Sequence, residues 1–266
     1  MSLRGRRVID ALKQRIGRYV SFPVPPFGDI RYWEKVYKQL SPESVFEWGQ
    51  LNANDLAIHE SRLLLRGTQT LTDEPTQQMT LASALQISSH HTNTSTVILG
   101  CGNSALGEQL VRNHGWNGKL LQIDYITKVV NEMTIKCRDL PNIEVILDDA
   151  MELSSLETRT IDAVFDKGLI DTIFCADEHE QITQIMNSVH RVLHPGGMFC
   201  LMSFSQPQYI MPSLEKVDLR TNKPLWTNIE ARECSQRTIM YRFKKAPDES
   251  NKLKLGGQKK GLKYPR

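Results

Sequence analysis

The ten residues Val97-Ile98-Leu99-Gly100-Cys101-Gly102-Asn103-Ser104-Ala105-Leu106 constrain this chain more than any other stretch. An apolar run ends on glycine, and a G-x-G-x-x-A pattern leads into a helical segment. Glycine here lets the backbone turn sharply and lets a ligand approach the main chain. The N–H groups that open the following helix favour a negative group. Strands and helices alternate from this point. Residues 96–99, 119–124, 143–147, 161–165 and 198–203 read as strands, and 106–113, 127–138 and 180–193 as helices. That order predicts a parallel sheet covered by helices on both faces. Segments 214–219, 225–230 and 238–243 read as short strands without long helices between them, so the sheet is expected to finish antiparallel.

The part before residue 96 is different. Helical patterns cover 30–40, 54–65 and 79–87, and the stretches 67–78 and 88–95 are polar loops. Residues 1–20 form a basic amphipathic pattern with a net charge of +5. It reads either as a mitochondrial presequence or as a solvated helix. Pro23, Pro25 and Pro26 then make 22–28 a stiff linker. Residues 244–266 carry +6 and little apolar content, which leaves −8 for 21–243. The domain expectation is therefore a basic helix and linker over 1–28, a catalytic domain over 29–245, and a basic disordered tail over 246–266.

Composition excludes several classes. Of the 266 residues, 40% are hydrophobic and 24% charged, the balance of a globular chain. No apolar run of membrane-spanning length occurs, so no membrane partner is expected. The five cysteines include no C-x-x-C pair, so neither a zinc site nor a disulfide framework is expected.

Acidic residues close the predicted strands. Asp124 lies 24 positions after Gly100, where a carboxylate accepts hydrogen bonds from ribose hydroxyls. Asp148-Asp149 ends the third strand, and Asp166-Lys167-Gly168 ends the fourth, with Asp171 one helical turn on. Ligands of doubly wound sheets bind at these carboxyl ends. The pattern points to a nucleoside ligand, and by itself leaves both NAD and S-adenosylmethionine open.

The combination Leu99-Gly100-Cys101-Gly102-Asn103-Ser104-Ala105-Leu106, Asp124-Tyr125, Asp149 and Asp166-Lys167-Gly168-x-x-Asp171 resembles the class I, seven-β-strand, S-adenosylmethionine-dependent methyltransferases. It is most similar to the methyltransferase-like group that includes lysine methyltransferases of elongation factor 1-alpha and of citrate synthase. Tyr32-Trp33-Glu34-x-x-Tyr37 and Phe46-Glu47-Trp48 also resemble that group. The resemblance covers residues 30–243 and implies an α/β fold: a Rossmann-like, doubly wound, mostly parallel seven-stranded sheet. Its order would be 3-2-1-4-5-7-6, with the last strand antiparallel and a helical extension at the N-terminus. It implies that Gly100 and Gly102 hold the methionyl part, Asp124 the ribose, and Tyr125, Asp149 and Ala150 the adenine. Trp33, Tyr37 and Trp48 would close over the cofactor, and Lys167 would line the same pocket.

The reaction so implied is methyl transfer to a lysine of a protein substrate. Asp166 and Asp171 are the catalytic candidates, as carboxylates that orient the acceptor amine. The acidic body suits a cationic cofactor and a basic substrate, and disfavours direct binding of nucleic acid. The chain is expected to act as a monomer in the cytoplasm, or in the mitochondrial matrix if 1–20 is a presequence. An NAD-dependent oxidoreductase would need a substrate domain with an acid–base residue, and the seven histidines are scattered along the chain. An aminopropyltransferase, a small-molecule methyltransferase and a non-catalytic adaptor remain as alternatives on the same fold.

Overall fold

The computed structural model describes residues 25–41, 43–48, 63–64, 71–72, 94–215, 217–218, 223–233 and 238–247. The expectations for 1–20, for a helix over 79–87 and for the tail beyond 247 lie outside them. The strands are β1 (Leu63–Leu64), β2 (Leu71–Thr72), β3 (Ser95–Leu99), β4 (Lys119–Asp124), β5 (Ile143–Leu147), β6 (Ile161–Lys167), β7 (Leu193–Ser203), β8 (Val217–Asp218), β9 (Lys223–Pro224), β10 (Trp226–Glu233) and β11 (Ile239–Lys245). The helices are α1 (Ile30–Gln39), α2 (Leu106–His114), α3 (Thr127–Lys136), α4 (Leu169–Cys175), α5 (His179–Val192) and α6 (Pro207–Leu214).

All strands but β8 and β9 join one sheet of order β2-β1-β10-β11-β7-β6-β3-β4-β5. Strands β5, β4, β3, β6 and β7 are parallel. Strand β11 runs antiparallel to both β7 and β10. The seven long strands thus follow the order the resemblance implied, with the last one reversed.

Central strands read as apolar runs because both their faces are covered. Val97, Leu99 and Val164 pack on one side with Ile182, Ile185 and Val189 of α5. Ile98, Ala163 and Phe165 pack on the other with Leu106 and Leu110 of α2. Each such fully buried side chain contributes roughly 1.5–3 kcal/mol over its exposed state. Lys245 Nζ donates to the carbonyls of His190 and Leu193, which ties the last strand to the C-terminal end of α5.

Two further strands of two residues each, β1 and β2, lie beyond β10 and lengthen that edge of the seven-stranded sheet. Three expectations are corrected. Within the helix expected over 54–65, Leu63 and Leu64 form a strand that pairs with Arg232 and Ala231, and the rest of that segment lies outside the described residues. Leu214 closes helix α6 rather than opening a strand, since Pro207 sits at the helix start, where its missing N–H costs nothing. Strand β7 begins at Leu193, and Pro195-Gly196-Gly197 form an irregularity within it, between the pairs Ile161–Leu193 and Ala163–Met198.

Candidate functional site

A cavity of about 360 Å³ opens at the carboxyl ends of β3, β4, β5 and β6. Its walls include Gly100 and Gly102 after β3, Asp124 and Tyr125 at β4, Asp149 and Ala150 after β5, and Lys167 of β6. Trp33, Tyr37 and Trp48 line it from the N-terminal side. The structure therefore gathers ten of the twelve site residues named from the sequence around one space.

The glycine loop is shaped by backbone geometry. Gly100 and Gly102 have φ of 53° and 52°, a region that side chains disfavour. A Cβ on Gly102 would collide with the Tyr37 hydroxyl. Asp124 holds this loop from beneath. Its carboxylate accepts from the Gly102 N–H at 2.8 Å and from the Ile126 N–H at 2.9 Å. Burial pushes the Asp124 carboxyl above its ordinary value, and these N–H groups oppose that shift. Burial also pushes the Tyr125 phenol up to about 12 and the Tyr37 phenol higher still, so both remain protonated donors near neutral pH. Asp149 accepts from the Met151 N–H at 2.8 Å, while the neighbouring Asp148 accepts from Ser154 and Ser155 and closes its own turn.

Residues 25–41 and 43–48 form a roof over this space. The Trp33 indole donates to the Phe27 carbonyl at 2.7 Å, and the Phe27 ring stacks on Trp33 with centroids 5.9 Å apart. Trp48 meets Phe27 edge-on at 5.4 Å. Phe27, placed in the linker by the sequence, is thus part of the cavity wall, as are Phe46, Met151 and Gln181. The roof is fastened to the glycine loop by side chains. Asn103 accepts from the Phe46 N–H at 2.9 Å and donates to the Ser44 carbonyl at 2.6 Å. Glu47 accepts from Ser104 Oγ at 2.8 Å and from the Ala105 N–H at 2.9 Å, and forms an ion pair with Lys167.

Two expectations change here. The start of α2 was expected to meet a ligand's negative group. The Ala105 N–H instead meets Glu47 of this chain, and the Leu106 N–H meets Ser104 Oγ. Asp166 and Asp171, the catalytic candidates, are absent from the cavity wall. Asp166 is fully buried and accepts from the Leu169 and Ile170 N–H groups, so it caps helix α4 from the preceding strand. Asp171 accepts from Ser203 Oγ, from the Phe204 N–H at 3.0 Å and from the Trp48 indole at 3.3 Å. Both carboxylates support the wall from behind. Glu47, part of a quoted motif but given no role, is the acid that joins roof to floor. Its signal in the sequence was its place between Phe46 and Trp48.

Among the described residues no group of three His, Cys, Asp or Glu is arranged to hold a metal ion, and no helix is long and apolar enough to cross a membrane.

The family model "Methyltransferase domain" matches residues 90–252, more than half of the chain. This chain belongs to that family. Among curated relatives, mouse "EEF1A lysine methyltransferase 4" is 23% identical over 194 residues, covering 69% of this chain and 64% of the mouse protein. Human "eEF1A lysine and N-terminal methyltransferase" is 25% identical over 185 residues, covering 68% of this chain and 22% of the human protein. The chain thus spans less than two thirds of these relatives. A crystal structure of a SAM-dependent methyltransferase from Methanosarcina mazei aligns at a TM-score of 0.44 and 13% identity, covering 60% of this chain and 96% of that one.

Proposed function

We propose that this protein transfers a methyl group from S-adenosylmethionine to a lysine side chain of a protein. The observation that carries the reading is the cavity that joins Gly100, Gly102, Asp124, Tyr125, Asp149 and Lys167 at the strand ends. The residues fit the donor by their chemistry. The glycine loop admits a close backbone approach, Asp124 suits vicinal hydroxyls, and the 149–151 turn with Tyr125 suits an adenine ring. Lys167, paired with Glu47, closes the same wall.

The bound donor would supply an electrophilic methyl on a positively charged sulfur. The chain itself positions, desolvates and excludes water. The aromatic roof of Phe27, Trp33, Tyr37 and Trp48 makes the space apolar. Burial there lowers the pKa of an entering lysine and favours the neutral amine, the nucleophilic form. Asp166 and Asp171 act on the wall rather than on the acceptor: one fixes α4 after Gly168, the other fixes Trp48.

The names of the relatives support a lysine acceptor and make elongation factor 1-alpha the first one to test. In the same reading the enzyme acts as a monomer on protein rather than nucleic acid. It works in the cytoplasm, with the mitochondrial matrix as the alternative. The test incubates the full chain with methyl-labelled S-adenosylmethionine and recombinant elongation factor 1-alpha, with a cell lysate in parallel. Label on a lysine of a protein supports the reading. Label on RNA or a small molecule, or no transfer despite donor binding, overturns it.

A further inference from the structure

We propose that Glu47 is a positioning residue that acts through Lys167 to hold the aromatic roof over the cavity and so sets how tightly the donor is retained. The inference rests on the methyl-donor reading above.

Four observations converge on this side chain. Its carboxylate joins parts of the chain that come from opposite sides of the crevice. On the β3 side it accepts from Ser104 Oγ and the Ala105 N–H at the start of α2. On the β6 side it pairs with Lys167, whose side chain is 6% exposed against 17% for Glu47. Its two neighbours, Phe46 and Trp48, line the cavity, while Glu47 does not. Trp48 in turn lies over Gly168, where a Cβ would strike its ring, and donates to Asp171.

The geometry separates this role from simple bulk. Phe46 and Trp48 supply the apolar wall, and between them the Glu47 carboxylate meets Ser104 and Lys167, two other residues of the wall. There it satisfies a helix N-terminus, which favours negative charge. It also neutralises a lysine that has little access to water. Without Glu47, the Lys167 ammonium loses the carboxylate paired with it, and the segment 44–48 loses its ties to Ser104, Ala105 and Lys167. Lys167 then moves toward solvent or into the cavity. In both cases the ammonium no longer stands where the wall presents it, and the roof no longer closes on a bound molecule.

The experiment measures binding, not turnover. S-Adenosylhomocysteine is titrated by calorimetry into the full chain and into Glu47→Gln, Glu47→Asp, Glu47→Ala, Lys167→Met and the Glu47→Gln/Lys167→Met double variant. Tryptophan emission and near-ultraviolet dichroism are recorded on each. Glu47→Gln should weaken binding at least tenfold, and Glu47→Asp should recover part of it. The double variant should bind no more weakly than Lys167→Met alone, because Glu47 acts through Lys167. Emission from Trp33 and Trp48 should shift to the red in the Glu47 variants. Equal affinity in wild type and Glu47→Gln overturns the inference, as does full additivity in the double variant. Glu47→Gln is nearly isosteric and carries the test if Glu47→Ala does not fold. Wild-type protein that binds no S-adenosylhomocysteine overturns the methyl-donor reading itself, which is a different result from equal affinity in wild type and variant.

Discussion

The Gly102 N–H donates to the Asp124 carboxylate at 2.8 Å, across 22 positions of sequence. The acid at the end of β4 therefore shapes the loop at the end of β3, besides facing the cavity. Asp124→Ala removes this acceptor and the one used by the Ile126 N–H. Two buried donors left unmet cost about 1–3 kcal/mol each. The variant is expected to melt lower and to lose measurable S-adenosylhomocysteine binding by calorimetry. Unchanged affinity would remove Asp124 from the donor site.

Gly168 has φ of 103°, and a Cβ there would strike the Trp48 ring. Gly168→Ala adds backbone strain of about 1–3 kcal/mol and expels Trp48 from the roof. Near-ultraviolet dichroism should lose a tryptophan band, and donor affinity should fall. A variant with wild-type dichroism and affinity would show that Trp48 does not depend on this glycine.

Burial pushes the Asp166 carboxyl up to about 8, helped by the nearby Asp171 and opposed by the N–H groups that Asp166 accepts. The unfolded chain releases that proton near the ordinary value of about 4. Between these values the native state binds more protons than the unfolded state, so stability falls as pH rises. The contribution is whole below about pH 4 and is lost by about pH 8. Asp166→Asn does not titrate. The melting temperature of wild type relative to this variant should therefore decline from pH 5 to pH 8. A gap that stays constant over that range would contradict the raised value.

Asp171 accepts from Ser203, Phe204 and Trp48 while buried. Asp171→Ala strands three donors and is expected to cost at least about 3 kcal/mol by denaturant unfolding. Donor affinity should fall together with stability. A large loss of turnover with stability and affinity intact would return Asp171 to a direct catalytic role.

The sequence made the parallel strands legible for a physical reason. Val97, Ile98 and Leu99 are covered on both faces, and so form an uninterrupted apolar run. Helix α6 was hidden because Pro207 and Pro212 look like breakers, although one of them stands at the helix start. Strand β1 was hidden because its pairing with distant Arg232 and Ala231, and with β2, is what makes it a strand. In the site, spacing located acids at the strand ends but carried no direction for their side chains. Asp124 and Asp149 line the cavity, while Asp166 turns back to the next helix. The role of Glu47 depends on partners 57 and 120 positions away, which no local pattern displays.

The roof has a consequence for synthesis. The roof leaves the ribosome long before helix α4, since Trp48 waits 123 positions for Asp171. At 5–20 residues per second that interval is roughly 6–25 seconds. During it Trp48 has neither Gly168 nor Asp171 to lie against, while Trp33 and Phe46 meet Ile126, Val129 and Met133 once these emerge. A nascent chain stopped before β6 therefore holds the glycine loop and Asp124 but not the closed chamber.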